Sequence, residues 1–134
     1  MRSANLRNEY WYIKENFFNN LHAHVEQYSM EMEYIFSKSE AKKYIKIANA
    51  FFYYLHDYTD HKGFETITLA DTNSKFIAML RKDTLLQVDN KEITSKLRVF
   101  IEYLNKKGFK NPNLLISSAS HFYQFQTLQL KHNN

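Results

Sequence analysis

Residues 90–108, with the sequence NKEITSKLRVFIEYLNKKG, carry the clearest structural signal in the chain. Apolar side chains recur there at steps of three and four residues, the spacing that places them on one face of an α-helix. The series is Ile93, Leu97, Phe100, Ile101 and Leu104. Asn90 is suited to cap the start of this helix, and Lys106, Lys107 and Gly108 form a typical helix end. The segment therefore predicts one amphipathic helix.

The N-terminal segment shows the same periodicity over a longer distance, because neither glycine nor proline interrupts residues 4–36. Its predicted apolar stripe is Leu6, Tyr10, Ile13, Phe17, Leu21, His24 or Val25, Tyr28, Met32 and Ile35. A continuous helix of this length would measure roughly 50 Å, more than a small domain covers. We therefore expect it either to break near Asn19-Asn20 or to extend beyond the body towards a partner.

Two further helices begin at recognisable caps. Ser37 with Glu40 three residues later forms a capping box, which predicts a helix as far as about Tyr58. Thr68 with Asp71 in the first turn predicts a third helix over residues 69–82. These caps precede apolar residues at helical spacing, so both segments are expected to pack against a common core.

The composition supports an all-α fold and excludes several others. Only two glycines and one proline occur in 134 residues, which argues against a β-sandwich and leaves no glycine-rich phosphate loop. With no cysteine, the chain has no disulfide, thiol nucleophile or cysteine-ligated metal. We predict a compact four- to five-helix orthogonal bundle in one domain. Its parts are an amphipathic helix over residues 1–36, a helical body over residues 37–113 and a linker-like, extended tail over residues 114–134.

The charge is distributed unevenly, although its net value is only +4. Residues 1–36 carry three positive and five negative charges, whereas residues 37–134 carry 15 positive and 9 negative ones. A basic body favours a polyanionic partner, most often nucleic acid. No apolar run reaches the ~20 residues that span a bilayer. We therefore expect a cytoplasmic protein without a membrane partner.

Residues suited to catalysis or metal binding are few. The group His56, Asp57, Asp60 and His61 is either a metal site or a set of solvated loop residues, and the second interpretation is favoured. Glu31 and Glu33 are interpreted as part of a solvated helix face. The serines of the tail lack the glycine elbow of a nucleophile. We therefore predict neither catalytic residues, nor a bound metal, nor a cofactor.

Basic and hydroxyl side chains are concentrated at two helix faces. Lysines four residues apart share one face of a helix, and hydroxyl groups near a helix N-terminus add hydrogen-bond donors suited to phosphate. The candidate DNA-binding residues of the second helix are Lys38, Ser39, Lys42, Lys43 and Lys46. Those of the fourth helix are Lys91, Thr94, Ser95 and Arg98. Ordinary solvated faces are the alternative interpretation of both groups.

The order of these features resembles the N-terminal core-binding domain of tyrosine recombinases and phage integrases, a SAM-like helical domain. The resemblance covers residues 10–112, about three quarters of the chain. Its pieces are Ser37-Lys38-Ser39-Glu40-Ala41-Lys42-Lys43-Tyr44, Thr68-Leu69-Ala70-Asp71, the segment from Ile93 to Leu104, and Lys107-Gly108-Phe109-Lys110-Asn111-Pro112. The resemblance implies that the second and fourth helices approach duplex DNA, with Lys42, Lys43, Lys46, Ser95 and Arg98 among the contacts. The catalytic domain of that family, with its tyrosine nucleophile, has no counterpart in this sequence. The resemblance therefore implies either the excised N-terminal domain of a recombinase or a stand-alone protein that keeps only the DNA-binding fold.

A small regulatory or adaptor protein of a mobile element is the second hypothesis. It rests on the acidic, aromatic first helix and on the aromatic tail, which could add to the sheet edge or fill the groove of a recombinase or another protein. The candidate partner-binding residues of the tail are Phe122, Tyr123, Phe125, Leu128 and Leu130.

Overall fold

The helices of the protein begin and end close to their sequence signals. The computed structural model describes residues 2–83 and 89–114. Its α-helices are α1 (Arg2–Ile35), α2 (Lys38–Tyr58), α3 (Phe76–Asp83) and α4 (Asn90–Lys106). Its shorter helical elements are two 3-10 turns (Phe64–Thr66 and Pro112–Leu114) and a π-helical segment (Asp71–Lys75) that leads into α3. The α-helix predicted over residues 69–82 is therefore divided into the π-helical segment and α3. The described ranges contain no strand, and the predicted all-α class is confirmed.

The helix caps follow the sequence with one exception. The Ser37 hydroxyl accepts a hydrogen bond from the Glu40 backbone N–H at 3.3 Å, as predicted. The cap of α4 is Asp89 and not Asn90, because the Asp89 carboxylate accepts from the Glu92 N–H at 2.7 Å. The Asn90 side chain instead accepts a hydrogen bond from Arg81 Nε at 3.1 Å. The prediction of Asn90 as the cap was therefore wrong by one residue.

The first helix is continuous and extends beyond the rest of the body. No break occurs at Asn19-Asn20, and from residue 9 onwards the first buried side chain of α1 is Phe18. Tyr10 and Ile13, predicted to belong to the apolar stripe, are exposed. The reason is length: α1 has 34 residues and α2 only 21, so the start of α1 has little of α2 to pack against.

The core lies between α1, α2 and α4, with α3 closing one end. Apolar side chains of α1 at three- and four-residue steps pack on it; they are Phe18, Leu21, Val25, Tyr28, Met32 and Ile35. The Tyr28 ring lies 4.8 Å from Phe100 and 5.1 Å from Tyr103 of α4, measured between ring centroids. Burial of such aromatic rings contributes ~1.5–3 kcal/mol each to the free energy of unfolding.

The end of the helical body is held by a buried amide. Asn111 is fully buried, and its Nδ2 donates to the backbone oxygens of Phe64 and Ile67, at 2.8 Å in each case. Before it, Gly108 ends α4 with a φ of +105°, a conformation that favours glycine. Leu114 is buried, and the rest of the predicted tail lies outside the described residues.

Within residues 2–83 and 89–114, no helix combines the length and apolar composition needed to cross a bilayer.

Candidate nucleic-acid interface

The predicted DNA-binding residues of α2 lie along a groove between α2 and α4. This lysine groove has a volume of about 260 Å³ and is lined by Ser39, Lys42, Lys43, Lys46, Ile47, Glu92, Ile93 and Lys96. Ile47 and Ile93 are buried, whereas Lys42, Lys43 and Lys46 are exposed. The groove therefore has an apolar floor and a basic rim.

Lys96 crosses from α4 to α2 within this groove. Its Nζ lies 3.0 Å from a Glu92 carboxylate oxygen and 3.9 Å from one of Glu40. The same ammonium group lies 4.8 Å from the centre of the Tyr44 ring. Burial, followed by the charges of Glu40 and Glu92, raises the pKa of Tyr44. Lys96 thus joins two helices through contacts with two acids and an aromatic face.

Glu40 faces cations on both helices. One of its carboxylate oxygens lies 3.6 Å from Lys43 Nζ, and the other is the oxygen that faces Lys96. Ser39, its neighbour in the chain, lines the groove beside Lys42. A hydroxyl therefore occupies the groove, and the negative charge of Glu40 is opposed by two ammonium groups.

The predicted residues of α4 do not all join this groove. Thr94 and Arg98 line a separate hollow of about 170 Å³ with Leu69, Thr72, Asn73, Leu97, Ile101 and Leu114. Lys91 and Ser95 are exposed and line neither cavity. Lys38 is likewise exposed at the start of α2. The structure thus brings Ser39, Lys42, Lys43 and Lys46 together and places Thr94 and Arg98 in a different hollow.

The histidines near the end of α2 pair with single acids. His56 Nδ1 lies 2.6 Å from an Asp57 oxygen, and hydrogen bonding to His56 is the main reason why the pKa of Asp57 is lowered. His61 Nε2 lies 2.9 Å from Asp71, while Asp60 is exposed. In the part of the chain that the structure describes, no three histidine, aspartate or glutamate side chains are grouped closely enough to hold a metal ion.

Asp71 is the centre of a buried polar network. The hydroxyl of Tyr54 donates to Asp71 Oδ1 at 2.8 Å, and the backbone N–H of Thr68 donates to Oδ2 at the same distance. His61 Nε2 also faces Oδ2, and the other ring nitrogen lies 2.9 Å from the Thr66 hydroxyl. Asp71 in turn donates its backbone N–H to the Thr68 hydroxyl, which completes a capping box.

Comparison of the chain with known protein families, curated proteins and solved structures finds no match. The similarity to recombinase core-binding domains therefore remains a prediction from sequence.

Sequence reasoning missed Lys96 as a groove residue. A signal was present, because Glu92 and Lys96 are four residues apart and such pairs face each other on a helix. The Thr68–Asp71 cap was recognised, but nothing in the sequence connects Asp71 with Tyr54 or His61. Those contacts arise only when α2 and the following loop pack against the start of the π-helical segment.

Proposed function

We propose that the protein is a non-catalytic duplex-DNA-binding domain with the SAM-like arrangement of recombinase core-binding domains. The observation that carries the proposal is the basic rim of the lysine groove. Ser39, Lys42, Lys43 and Lys46 come from one helix and stand together at the edge of a groove shared with α4. Ammonium and hydroxyl groups in such an array suit the phosphates of a DNA backbone.

The charge balance of the groove favours a polyanion. Four lysines and Glu92 line the groove, and Glu40 contacts two of those lysines. Among these lysines, the two glutamates face only Lys43 and Lys96. Lys42 and Lys46 form no ion pair with any residue in the described ranges. These two side chains are one helical turn apart and are the strongest candidates for phosphate contacts.

The exposed residues of α4 extend this surface in the proposal. Lys91 and Ser95 add a further ammonium group and a hydroxyl, and Arg98 with its planar guanidinium contacts phosphate or a guanine edge. Since few side chains reach bases, sequence specificity is limited. The affinity is dominated by phosphate contacts and falls steeply with salt.

The test is a fluorescence-anisotropy titration of the full chain against a random ~25-base-pair duplex at several salt concentrations. Six phosphate contacts would give a slope of log K against log salt of roughly −5. Lys42→Glu/Lys46→Glu should weaken binding by about tenfold or more at low salt. The charge-matched control Lys62→Glu/Lys110→Glu changes two exposed lysines outside the groove and should bind far more tightly than the first variant. A slope near zero, or equal losses in both variants, would contradict the proposal.

An adaptor that works through protein–protein contact is the second candidate, and the start of α1 favours it. Trp11, Tyr12 and Ile13 are exposed, Trp11 with 64% of its surface. Exposed apolar groups in one place are typical of a contact surface. The other predicted contact residues, Phe122, Tyr123, Phe125, Leu128 and Leu130, lie outside the described residues.

Deletion of residues 117–134 separates the two candidates. A DNA-binding domain should retain its duplex affinity without these residues, because the lysine groove lies on α2 and α4. A shortened chain that folds, as judged by circular dichroism, but loses binding would transfer the function to the tail.

A further inference from the structure

A third open cavity lies at the opposite end of α2 from the lysine groove, where α2 meets α3. It has a volume of about 320 Å³ and is lined by Tyr54, Tyr58, Lys75, Ala78, Met79 and Lys82. Neither the duplex-binding proposal nor the adaptor hypothesis uses these residues. The cavity therefore needs an explanation of its own.

The charge of this cavity is positive. Lys75 and Lys82 are exposed and seven residues apart, which places them on the same side of the helix and roughly 10 Å apart along its axis. Among the residues that the structure describes, no carboxylate lines the cavity. Asp71 contacts Tyr54, but from the protein interior, where only 4% of the Asp71 surface is exposed. The open side of the cavity therefore attracts an anion.

The aromatic wall of the cavity is held in position by the buried network. The Asp71 carboxylate accepts the hydrogen bond of the Tyr54 hydroxyl, and the Tyr58 ring stacks parallel to Tyr54 with centroids 6.4 Å apart and an interplanar angle of 11°. The Tyr53 and Tyr58 rings pack in an edge-to-face arrangement, with centroids 6.2 Å apart and an interplanar angle of 60°. Tyr58 nevertheless keeps 56% of its surface exposed. It offers a ring of defined orientation beside two lysines.

We propose that this cavity binds a nucleotide, whose planar base stacks on Tyr58 while its phosphate lies between Lys75 and Lys82. Each part of the lining selects for one part of the ligand. The apolar surface of Ala78 and Met79 disfavours a bare phosphate ion, and the two ammonium groups disfavour a neutral apolar molecule. The volume lies at the lower end of the usual range for ligand sites, which suits one nucleotide. A free mononucleotide and a single-stranded nucleic acid share this chemistry.

The first arm of the test concerns the stacking ring. The probe is a fluorescein-labelled thymidine hexanucleotide, titrated with the full chain and followed by anisotropy. Tyr58→Ala should weaken binding by about tenfold, the size expected for loss of one base–aromatic stack, and Tyr58→Phe should stay within about twofold of the unaltered protein. The matched control is Tyr34→Ala, which removes a tyrosine that is 70% exposed on α1, and it should leave the affinity unchanged.

The second arm concerns the two lysines. Lys75→Gln/Lys82→Gln should make the slope of log K against log salt less steep by about 0.7, because the one phosphate between the two lysines contributes about 0.7 for a single strand. The control Lys62→Gln/Lys110→Gln should keep the original slope. Lys42→Glu/Lys46→Glu should still bind the hexanucleotide through the Tyr58 cavity. Retained hexanucleotide binding in this variant would show that the nucleotide site is independent of the lysine groove, so the two proposals can fail separately.

Competition with unlabelled thymidine monophosphate distinguishes the two sources of the ligand. If the mononucleotide displaces the probe, a free nucleotide is enough to occupy the cavity. If only longer strands displace the probe, the ligand is a single-stranded nucleic acid. Both results support the proposed site. The inference is overturned if Tyr58→Ala binds as tightly as the unaltered protein. It is also overturned if Tyr34→Ala loses as much affinity as Tyr58→Ala, or if inorganic phosphate competes as well as thymidine monophosphate.

Discussion

The beginning of the π-helical segment and the C-terminal half of α4 each contain a buried carboxyl group. Asp71 and Glu102 are each only 4% exposed. Burial by itself would raise the pKa of Asp71, but hydrogen bonds from Thr68, Tyr54 and His61 outweigh it and lower that pKa. None of the described residues donates a hydrogen bond to Glu102, and burial raises its pKa from 4.5 to about 8 despite the opposing charge of Arg98.

Because the two acids are buried to the same extent, the hydrogen-bond donors around Asp71 account for the opposite directions of their pKa shifts. Asp71 lies where a backbone N–H, a hydroxyl and an imidazole converge, so its carboxylate is stabilised. Glu102 lies inside the C-terminal half of α4, where the neighbouring backbone N–H groups are already used by the helix itself. Asp71 therefore stabilises the fold as an anion, whereas Glu102 is buried at least cost as a neutral acid.

Loss of the Asp71 carboxylate should have the largest effect. In Asp71→Ala, the Tyr54 hydroxyl, the Thr68 N–H and the His61 ring lose their common acceptor. We expect the free energy of unfolding to fall by about 3 to 5 kcal/mol, because buried unpaired donors are costly. Urea denaturation followed by circular dichroism measures this change. The control Asp60→Ala removes an exposed carboxylate and should change stability by less than about 0.5 kcal/mol. Similar losses in both variants would contradict the role given to the network.

The second largest effect should be a pH dependence caused by Glu102. Its folded-state pKa of about 8 exceeds the ordinary value of 4.5, so folding favours the protonated form. The associated stability is fully present below pH 4.5 and is lost as the pH rises through 8. Glu102→Gln should remove this slope and be more stable than the unaltered protein by about 2 to 3 kcal/mol at high pH.

Unfolding curves in urea at a series of pH values test this prediction. The variant Glu33→Gln, which changes an exposed carboxylate on α1, serves as the control and should retain the slope of the unaltered protein. A slope that survives in Glu102→Gln would assign the pH dependence to another group.

Removal of one donor from Asp71 should have an intermediate effect. Tyr54→Phe keeps the ring in the core but deletes the 2.8 Å hydrogen bond, and about 1 to 2 kcal/mol of stability should be lost. Because the pKa of Asp71 is lowered on folding, its contribution is present at neutral pH and is lost as the pH falls through the acid range. The acid-unfolding midpoint should therefore move to higher pH in Tyr54→Phe. Tyr12→Phe, which alters an exposed tyrosine on α1, should leave that midpoint in place.

Replacement of Lys96 should have the smallest effect. Lys96 is also largely buried, but its partners Glu92 and Glu40 have side chains that are 33% and 41% exposed and remain hydrated when the lysine is removed. Lys96→Met should change the free energy of unfolding by less than about 1 kcal/mol. Thermal unfolding at low and high salt measures this change in the free energy of unfolding. A loss as large as that in Asp71→Ala would mean that water does not reach the two glutamates.

The sequence was sufficient to predict which lysines of α2 lie on the same groove. Lys42 and Lys46, four residues apart, are on the same groove, as helix geometry requires. Which residues of α4 join this groove was less predictable, because Thr94 and Arg98 line the separate hollow that contains Leu69 and Thr72. Helical spacing places residues on one face of their own helix, but it contains no information on which element covers the neighbouring face.

The sequence by itself determined the all-α class, the ends of α1, α2 and α4 to within a residue or two, and the basic character of the body. These properties depend on residues no more than four positions apart, through caps such as Ser37–Glu40 and through apolar periodicity. Only the tertiary structure decided that Asp71 meets Tyr54 and His61, and that Lys96 meets Glu40. Such contacts depend on how separate helices pack, which local spacing does not encode. The same packing decides which buried acid finds donors and keeps its charge.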